Sequence, residues 1–208
     1  MIPGTRESKP DPLWAKPCLA YNVHLALSEQ CRAALGAASG RIAASFPEVL
    51  SCPSASLHIS VASFLSVRAS YEIEKGLLWH RHHARWTSGL AAVVARQSRF
   101  EVRFTGVSVS DTAVFALASG QIPEIETIRS AVDALLSEAG LAGGQPDIVH
   151  STLLRFGEAP VDLTRLAALA NEIVLDVTTA VVDIVISKEL VYPSLVTEEI
   201  ARLALATS

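Results

Sequence analysis

Two short stretches of this 208-residue chain carry residues whose types and spacing could do proton chemistry. LHISVASF holds His58, Ile59 and Ser60, and DIVHSTLLRF, residues 147–156, holds His150, Ser151 and Thr152. Each sets a histidine, one spacer and a hydroxyl residue inside a β-branched, apolar run, and such runs read as strands. Strand side chains alternate faces, so His58 and Ser60 share one face, and His150 and Thr152 share another. Leu57, Ile59 and Val61 point away, as do Val149, Ser151 and Leu153. Each strand therefore presents one imidazole beside one hydroxyl, with an apolar back to bury. An imidazole can take or give a proton near neutral pH. The adjacent hydroxyl can donate a hydrogen bond to an anionic oxygen.

The second stretch extends further. His150-Ser151-Thr152-Leu153-Leu154-Arg155 resembles the H-x-T-L-x-R stretch of the 2H phosphoesterase superfamily, which includes the LigT-like 2′-5′ RNA ligases and cyclic phosphodiesterases. The first copy is looser, with Ser60 where that family more often has Thr. The resemblance implies an α+β fold of duplicated, pseudo-two-fold lobes, each an antiparallel sheet backed by helices, with a central cleft between them. It implies His58 and His150 as the catalytic pair and Ser60 and Thr152 as phosphate-binding hydroxyls. By strict alternation Arg155 faces away from His150, which predicts a structural ion pair for it.

The elements needed to position those strands can be read in order. Residues 1 to about 16 hold charges and three prolines and predict a flexible or extended arm. Cys18–Leu27 predicts a strand with Asn22 and His24 on one face. Ser28 predicts the N-cap of a helix running to about Phe46. A longer helix is expected from about Ser70 to Gln97. Residues 100–107 and 112–118 predict a hairpin. Pro123 predicts the first turn of a sixteen-residue helix ended by glycines. A helix over about 162–173 and a β-branched strand over 180–188 follow, then an edge strand over 190–195 marked by Pro193. Glu198–Ala206 reads as a short terminal helix or tail. From Cys18 to His58 is 40 residues, and from Ala113 to His150 is 37. This coarse repeat predicts a single 208-residue domain with two related lobes.

Composition narrows the function classes. Half of the residues are hydrophobic, enough for a sizeable core, and the formal charge is −4. That balance argues against broad electrostatic binding to long nucleic acid, which needs a basic footprint. The expected partner is a nucleotide cyclic phosphate or a short RNA end. Cys18, Cys31 and Cys52 have no metal-ligand spacing and read as reduced thiols. There is no apolar leader and no run of membrane-spanning length, so a cytoplasmic monomer is expected. His80, His82 and His83 invite a metal reading, but Arg81 and Arg85 would repel a cation, and a solvated helix face is expected. Neither metal nor cofactor is required by the two-histidine chemistry.

Weaker candidates for the cleft are His24 and Asn22, with Arg103 or Lys188 as extra positive charge and Tyr192 or Phe156 as a base-stacking ring. A catalytically idle nucleotide or RNA-end binding module of the same fold, or an RNA 3′-end trimming exonuclease, remain as alternative readings.

Overall fold

The computed structural model of the chain describes residues 7–143 and 145–207. Pro17–Ala26 forms β1, Glu29–Ser45 α1, Val49–Ser51 β2, His58–Leu65 β3 and Lys75–Val94 α2. Phe100–Val109 and Ala113–Ala118 form β4 and β5, Pro123–Glu138 α3, and His150–Phe156 β6. Leu163–Asn171 forms α4, and Val177–Val181, Asp183–Val191 and Val196–Ala204 form β7, β8 and β9. The strands make two antiparallel sheets, one ordered β3-β1-β8-β9 and the other β2-β6-β5-β4-β7. The α+β architecture of two related lobes expected from the repeat is present. Each motif strand lies beside the first strand of its own unit, β3 on β1 and β6 on β5.

The helices follow a less obvious rule. α1 leaves β1 yet packs on β2, β6 and β7 of the other sheet, and α3 leaves β5 yet packs on β3. α2 covers β1 and β9, and α4 covers β4. The two units have therefore exchanged one helix each, and the motif strands are sewn together by helices from opposite lobes. The apolar faces that make this favourable are fully buried: Leu35 and Ile42 on α1, Trp86 and Leu90 on α2, Ile125, Ile128 and Val132 on α3. Burying each such side chain contributes roughly 1.5–3 kcal/mol.

Local chemistry sets the ends. Ser28 Oγ accepts the Cys31 amide at 3.2 Å, the expected N-cap of α1. Asp162 caps α4 through the Thr164 and Arg165 amides. Pro123 sits in the first turn of α3, and Gly140, at φ 72°, ends it in the left-handed region that favours glycine. α2 starts at Lys75 rather than Ser70 because Glu74 caps it, accepting the Gly76 and Leu77 amides.

Four expectations need correction. Of the expected flexible or extended arm, residues 1–6 lie outside the described residues, and residues 7–16 are tied down rather than flexible: Lys9 N donates to Asp111 O, Asp11 N to Phe156 O and Ala15 N to Tyr192 O. The β-branched run near 180 is two strands, β7 in one sheet and β8 in the other, with the chain crossing at Val182. The expected edge strand over 190–195 is the end of β8 and the β8–β9 turn. The expected terminal helix is strand β9, which pairs with β8 along nine residues from Val196 to Ala204. Its Glu, Ala, Leu and Arg favour helix locally, but cross-strand pairing overrides that preference. Lys188 to Glu198 at 3.1 Å and Arg202 to Asp183 at 3.0 Å are two such pairs. Among the described residues, no helix is long and apolar enough to cross a membrane.

Candidate active site

The motif strands β3 and β6 meet where the two sheets face each other. His58, Ser60, His150 and Thr152 all line the cavity between them, which has a volume of about 280 Å³. All four candidate site residues are thus in one cleft, one histidine and one hydroxyl from each lobe. Ser151 faces the core and is fully buried.

The two imidazoles are held alike. His58 Nδ1–H donates to the Ser56 carbonyl at 2.7 Å, and His150 Nδ1–H points to the Ile148 carbonyl at 3.4 Å. Each acceptor lies two residues before its histidine. A carbonyl can only accept, so Nδ1 carries the proton and Nε2 is the free, basic nitrogen. His58 Nε2 is 3.1 Å from Ser60 Oγ and accepts its hydroxyl proton. Burial pushes both imidazoles below the ordinary histidine value. The hydrogen bond to Ser56 partly opposes this at His58, as does the one to Ile148 at His150, where Arg155, His58 and Arg129 push further down. Phe115 meets the His150 ring edge-on at 5.2 Å between centroids.

Arg155 is not where strict alternation put it. It lines the cleft beside His150 and Thr152. The reason is a β-bulge: Val114 pairs with Leu154 while Phe115 pairs with Thr152, so Leu153 is an extra residue in β6. Side-chain parity flips there. β3 has the matching bulge, since Val23 pairs with Ala62 and His24 with Ser60, leaving Val61 extra. Ser63 thereby joins the face of His58 and Ser60. The signal is legible in both stretches, because HISVASF and HSTLLRF each place two apolar residues in succession before alternation resumes.

The exchanged helices brace both bulges. Arg129 of α3 is 5% exposed; its Nε donates to Val61 O at 3.1 Å and its Nη2 to Ile148 O at 3.2 Å. One guanidinium thus joins the bulge of β3 to the carbonyl that orients His150. Ser39 of α1 does the equivalent on the other side, its hydroxyl directed at Leu153 O at 3.4 Å, beside the Cys52 amide at 2.9 Å.

The far end of the cleft is cationic. The Arg155 guanidinium makes the expected ion pair, with Asp11, its Nε 3.7 Å from Oδ2, but no side-chain hydrogen bond to the described residues. Arg68 reaches in from the loop after β3, and its Nη2 donates to Asp11 Oδ2 at 3.2 Å and to the Tyr192 hydroxyl at 2.9 Å. The floor is polar: Glu189, 3% exposed, accepts from Asn22 Nδ2 at 3.0 Å and from the Ser194 amide. Asn22 Oδ1 in turn accepts from Ser63. Cys52 lines the same wall as a thiol, pushed up to about 11 by burial.

Of the weaker candidates, Asn22 and Tyr192 line the cleft. His24 lies just behind His58, ring centroids 5.1 Å apart, in a smaller adjoining cavity, with Ser187 Oγ 3.2 Å from its Nδ1. Phe156 is core, Arg103 pairs with Asp176 at the surface, and Lys188 pairs with Glu198. Their strand positions gave no way to tell cleft from surface. His80 and His83 are exposed on α2, and His82 stacks on Trp86. Among the described residues, no three His, Cys, Asp or Glu side chains converge in a way that could hold a metal. Sequence reasoning missed Asp11, Arg68 and Glu189, which come from the expected arm, a loop and the latter part of β8.

Two facing antiparallel sheets with a cleft between them are the fold of the solved LigT structures. Solved structures overlay on most of the chain. TT0787 of Thermus thermophilus matches with a TM-score of 0.64 at 20% identity, over 89% of this chain and 97% of that one. E. coli LigT complexed with 3′-AMP matches with a TM-score of 0.63 at 14% identity, over 92% and 99%. The MHV ns2 PDE domain matches at 0.52 and 12% identity, over 89% and 100%. At these identities the likeness is one of fold, and it agrees with the resemblance carried by the motifs. No protein-family profile and no curated protein sequence matches the chain.

Proposed function

We propose that this protein is a metal-independent phosphoesterase that opens 2′,3′-cyclic phosphates, or makes and breaks 2′-5′ phosphodiester linkages, in nucleotides or short RNA ends. One observation carries the reading. Each motif histidine directs its Nδ1–H to the backbone carbonyl two residues earlier, so both Nε2 atoms are left to serve one cleft from opposite lobes. The fold likeness to phosphoesterases supports it, as do the solved complexes of E. coli LigT with 3′-AMP, phosphate, ATP and NADP+.

In cyclic-phosphate opening, water attacks phosphorus. A neutral imidazole Nε2 takes the water proton as the new P–O bond forms. An imidazolium from the other lobe gives its Nε2 proton to the ribose oxygen as the old P–O bond breaks. One water is consumed and no charge is stranded. Ser60, Thr152 and the Arg155 guanidinium, which makes no side-chain hydrogen bond to the described residues, are the groups available to the non-bridging oxygens, where preorganised donors are most effective. With the cleft empty, burial keeps both histidines toward the neutral form. An anionic phosphate between them restores the protonated form of one. Either histidine can be the base, according to the orientation of the bound ester.

The test is incubation of purified protein with 2′,3′-cyclic nucleotides, with and without EDTA, resolving the 2′- and 3′-monophosphate products. Hydrolysis that survives EDTA is the expected outcome. Activity lost to EDTA and restored by a divalent ion would point to metal-bound water instead.

A further inference from the structure

The cleft continues past the histidines to a pair of cations that the hydrolytic steps above do not fully use. On β6, Arg155 follows Thr152 on the same face, a strand repeat of about 7 Å further from His150. Arg68 stands beside it. The two guanidinium carbons lie 5.8 and 5.4 Å from the Tyr192 ring centroid. Asp11, its side chain 2% exposed, sits between them as a single carboxylate for two guanidiniums. Glu189, the other carboxylate of the cleft, is turned to Asn22 and Ser194. This end therefore carries an excess of one positive charge.

Arg68 is also built to receive a ligand. All three of its side-chain hydrogen bonds, two to Asp11 and one to Tyr192, leave from Nη2. Those bonds fix the guanidinium, while Nε and Nη1 keep unpaired donors on a side chain 53% exposed. Each open N–H can give one charge-assisted hydrogen bond to a phosphoryl oxygen, from a guanidinium already held in place. Tyr192 is 6% exposed, with guanidinium groups beside its ring, so it offers little face for a base to stack on.

We propose that Arg68, fixed by Asp11 and Tyr192, forms a second phosphate subsite, and that it selects substrates carrying a 5′-phosphoryl group in addition to the phosphate held between His58 and His150. This rests on the phosphoesterase reading above and names its preferred substrate class: a 5′-phosphorylated nucleotide, or an RNA end whose last nucleotide is joined through its 5′-phosphate.

The experiment compares a nucleoside 2′,3′-cyclic phosphate with the same compound bearing a 5′-phosphate, using the wild-type protein, Arg68→Gln and Arg68→Lys. Wild type is expected to favour the doubly phosphorylated substrate about tenfold or more in kcat/KM, mainly through KM, as one charge-assisted hydrogen bond would give. Arg68→Gln is expected to bring that ratio close to one, and Arg68→Lys to keep part of it. A wild-type ratio near one overturns the proposal. So does an Arg68→Gln variant that loses both substrates equally, since a purely structural role through Asp11 and Tyr192 would do that. Equilibrium binding of the nucleoside 3′-phosphate and 3′,5′-bisphosphate reads the subsite without turnover. Tighter bisphosphate binding that depends on Arg68, with neither cyclic substrate turned over, keeps the subsite and overturns the phosphoesterase reading. Equal binding of the two ligands by wild type overturns the subsite whether or not the protein is active.

Discussion

The two motif histidines are half-buried side chains at a cleft rather than packing units, so removing them should cost turnover and leave the fold intact. His58→Ala and His150→Ala are each expected to lower kcat by about 10²–10⁴, with circular dichroism unchanged. The double variant should lose less than the product of the two, because the pair acts as a unit. Near-normal turnover by either single variant would exclude that histidine. The pH dependence follows from burial. Both imidazoles titrate below their ordinary value of about 6.5 in the free protein, so the bell in kcat/KM should be centred below about pH 6.5. The kcat bell should lie higher, because the bound phosphate favours protonation, and its limbs belong to the pair rather than to named residues. His24 bears on stability instead. Burial, reinforced by His58 and Arg202, lowers it to about 3. A depressed histidine contributes stability that is full above about pH 6.5, the unfolded value, and is lost as pH falls through the folded one. Wild type should therefore lose up to about 1.4 kcal/mol per pH unit from this group between pH 6 and 4, and His24→Gln should show a shallower loss. Urea midpoints across that range check it. The histidines and hydroxyls were legible because type and spacing were enough. Arg155 was misjudged because alternation was carried through a bulge.

At the scale of elements, the site depends on two bulged strands braced by helices that belong to the opposite units. Arg129 is the most exposed to test, since it is buried and its donors satisfy the Val61 and Ile148 carbonyls. Arg129→Met keeps the apolar stem and strands both acceptors. Unsatisfied buried groups cost about 1–3 kcal/mol each, so a loss of roughly 2–4 kcal/mol is expected. For a chain of this size that corresponds to a fall of about 5–15 °C in melting temperature. Turnover measured well below the melt should also fall, because Ile148 O orients His150. A melting temperature equal to wild type would remove Arg129 from the frame. None of this was open to sequence reasoning, since periodicity reports which face of α3 is buried and not which sheet it covers. The β7–β8 run failed for a related reason. TTAVVDIVIS is almost entirely β-branched or apolar, and nothing local marks Val182 as the crossing between sheets. β2 was invisible because three residues between Pro47 and Pro53 form a strand only against β6.

For the molecule as a whole, charge decides how much nucleic acid it can hold. The chain is at −4 overall, and many of its surface cations are already paired with acids: Arg41 with Glu172, Arg85 with Glu138, Arg103 with Asp176, Arg202 with Asp183 and Glu199. At the cleft, Arg155 has no hydrogen-bonded partner among the described residues, and Arg68 keeps open donors at its mouth. That arrangement supports contact with one or two phosphates at an end. For single strands, each neutralised phosphate adds about 0.7 to the slope of log affinity against log salt. An oligonucleotide bearing a terminal phosphate should therefore bind with a slope of roughly 1–2 in magnitude. Lengthening it from two to ten nucleotides should leave that slope unchanged, because the contact is confined to the cleft. The measurement is a titration of fluorescent oligonucleotides of both lengths at several salt concentrations. A slope that grows with length would reveal a basic track outside the cleft and make the protein a binder of RNA along its length rather than at its end.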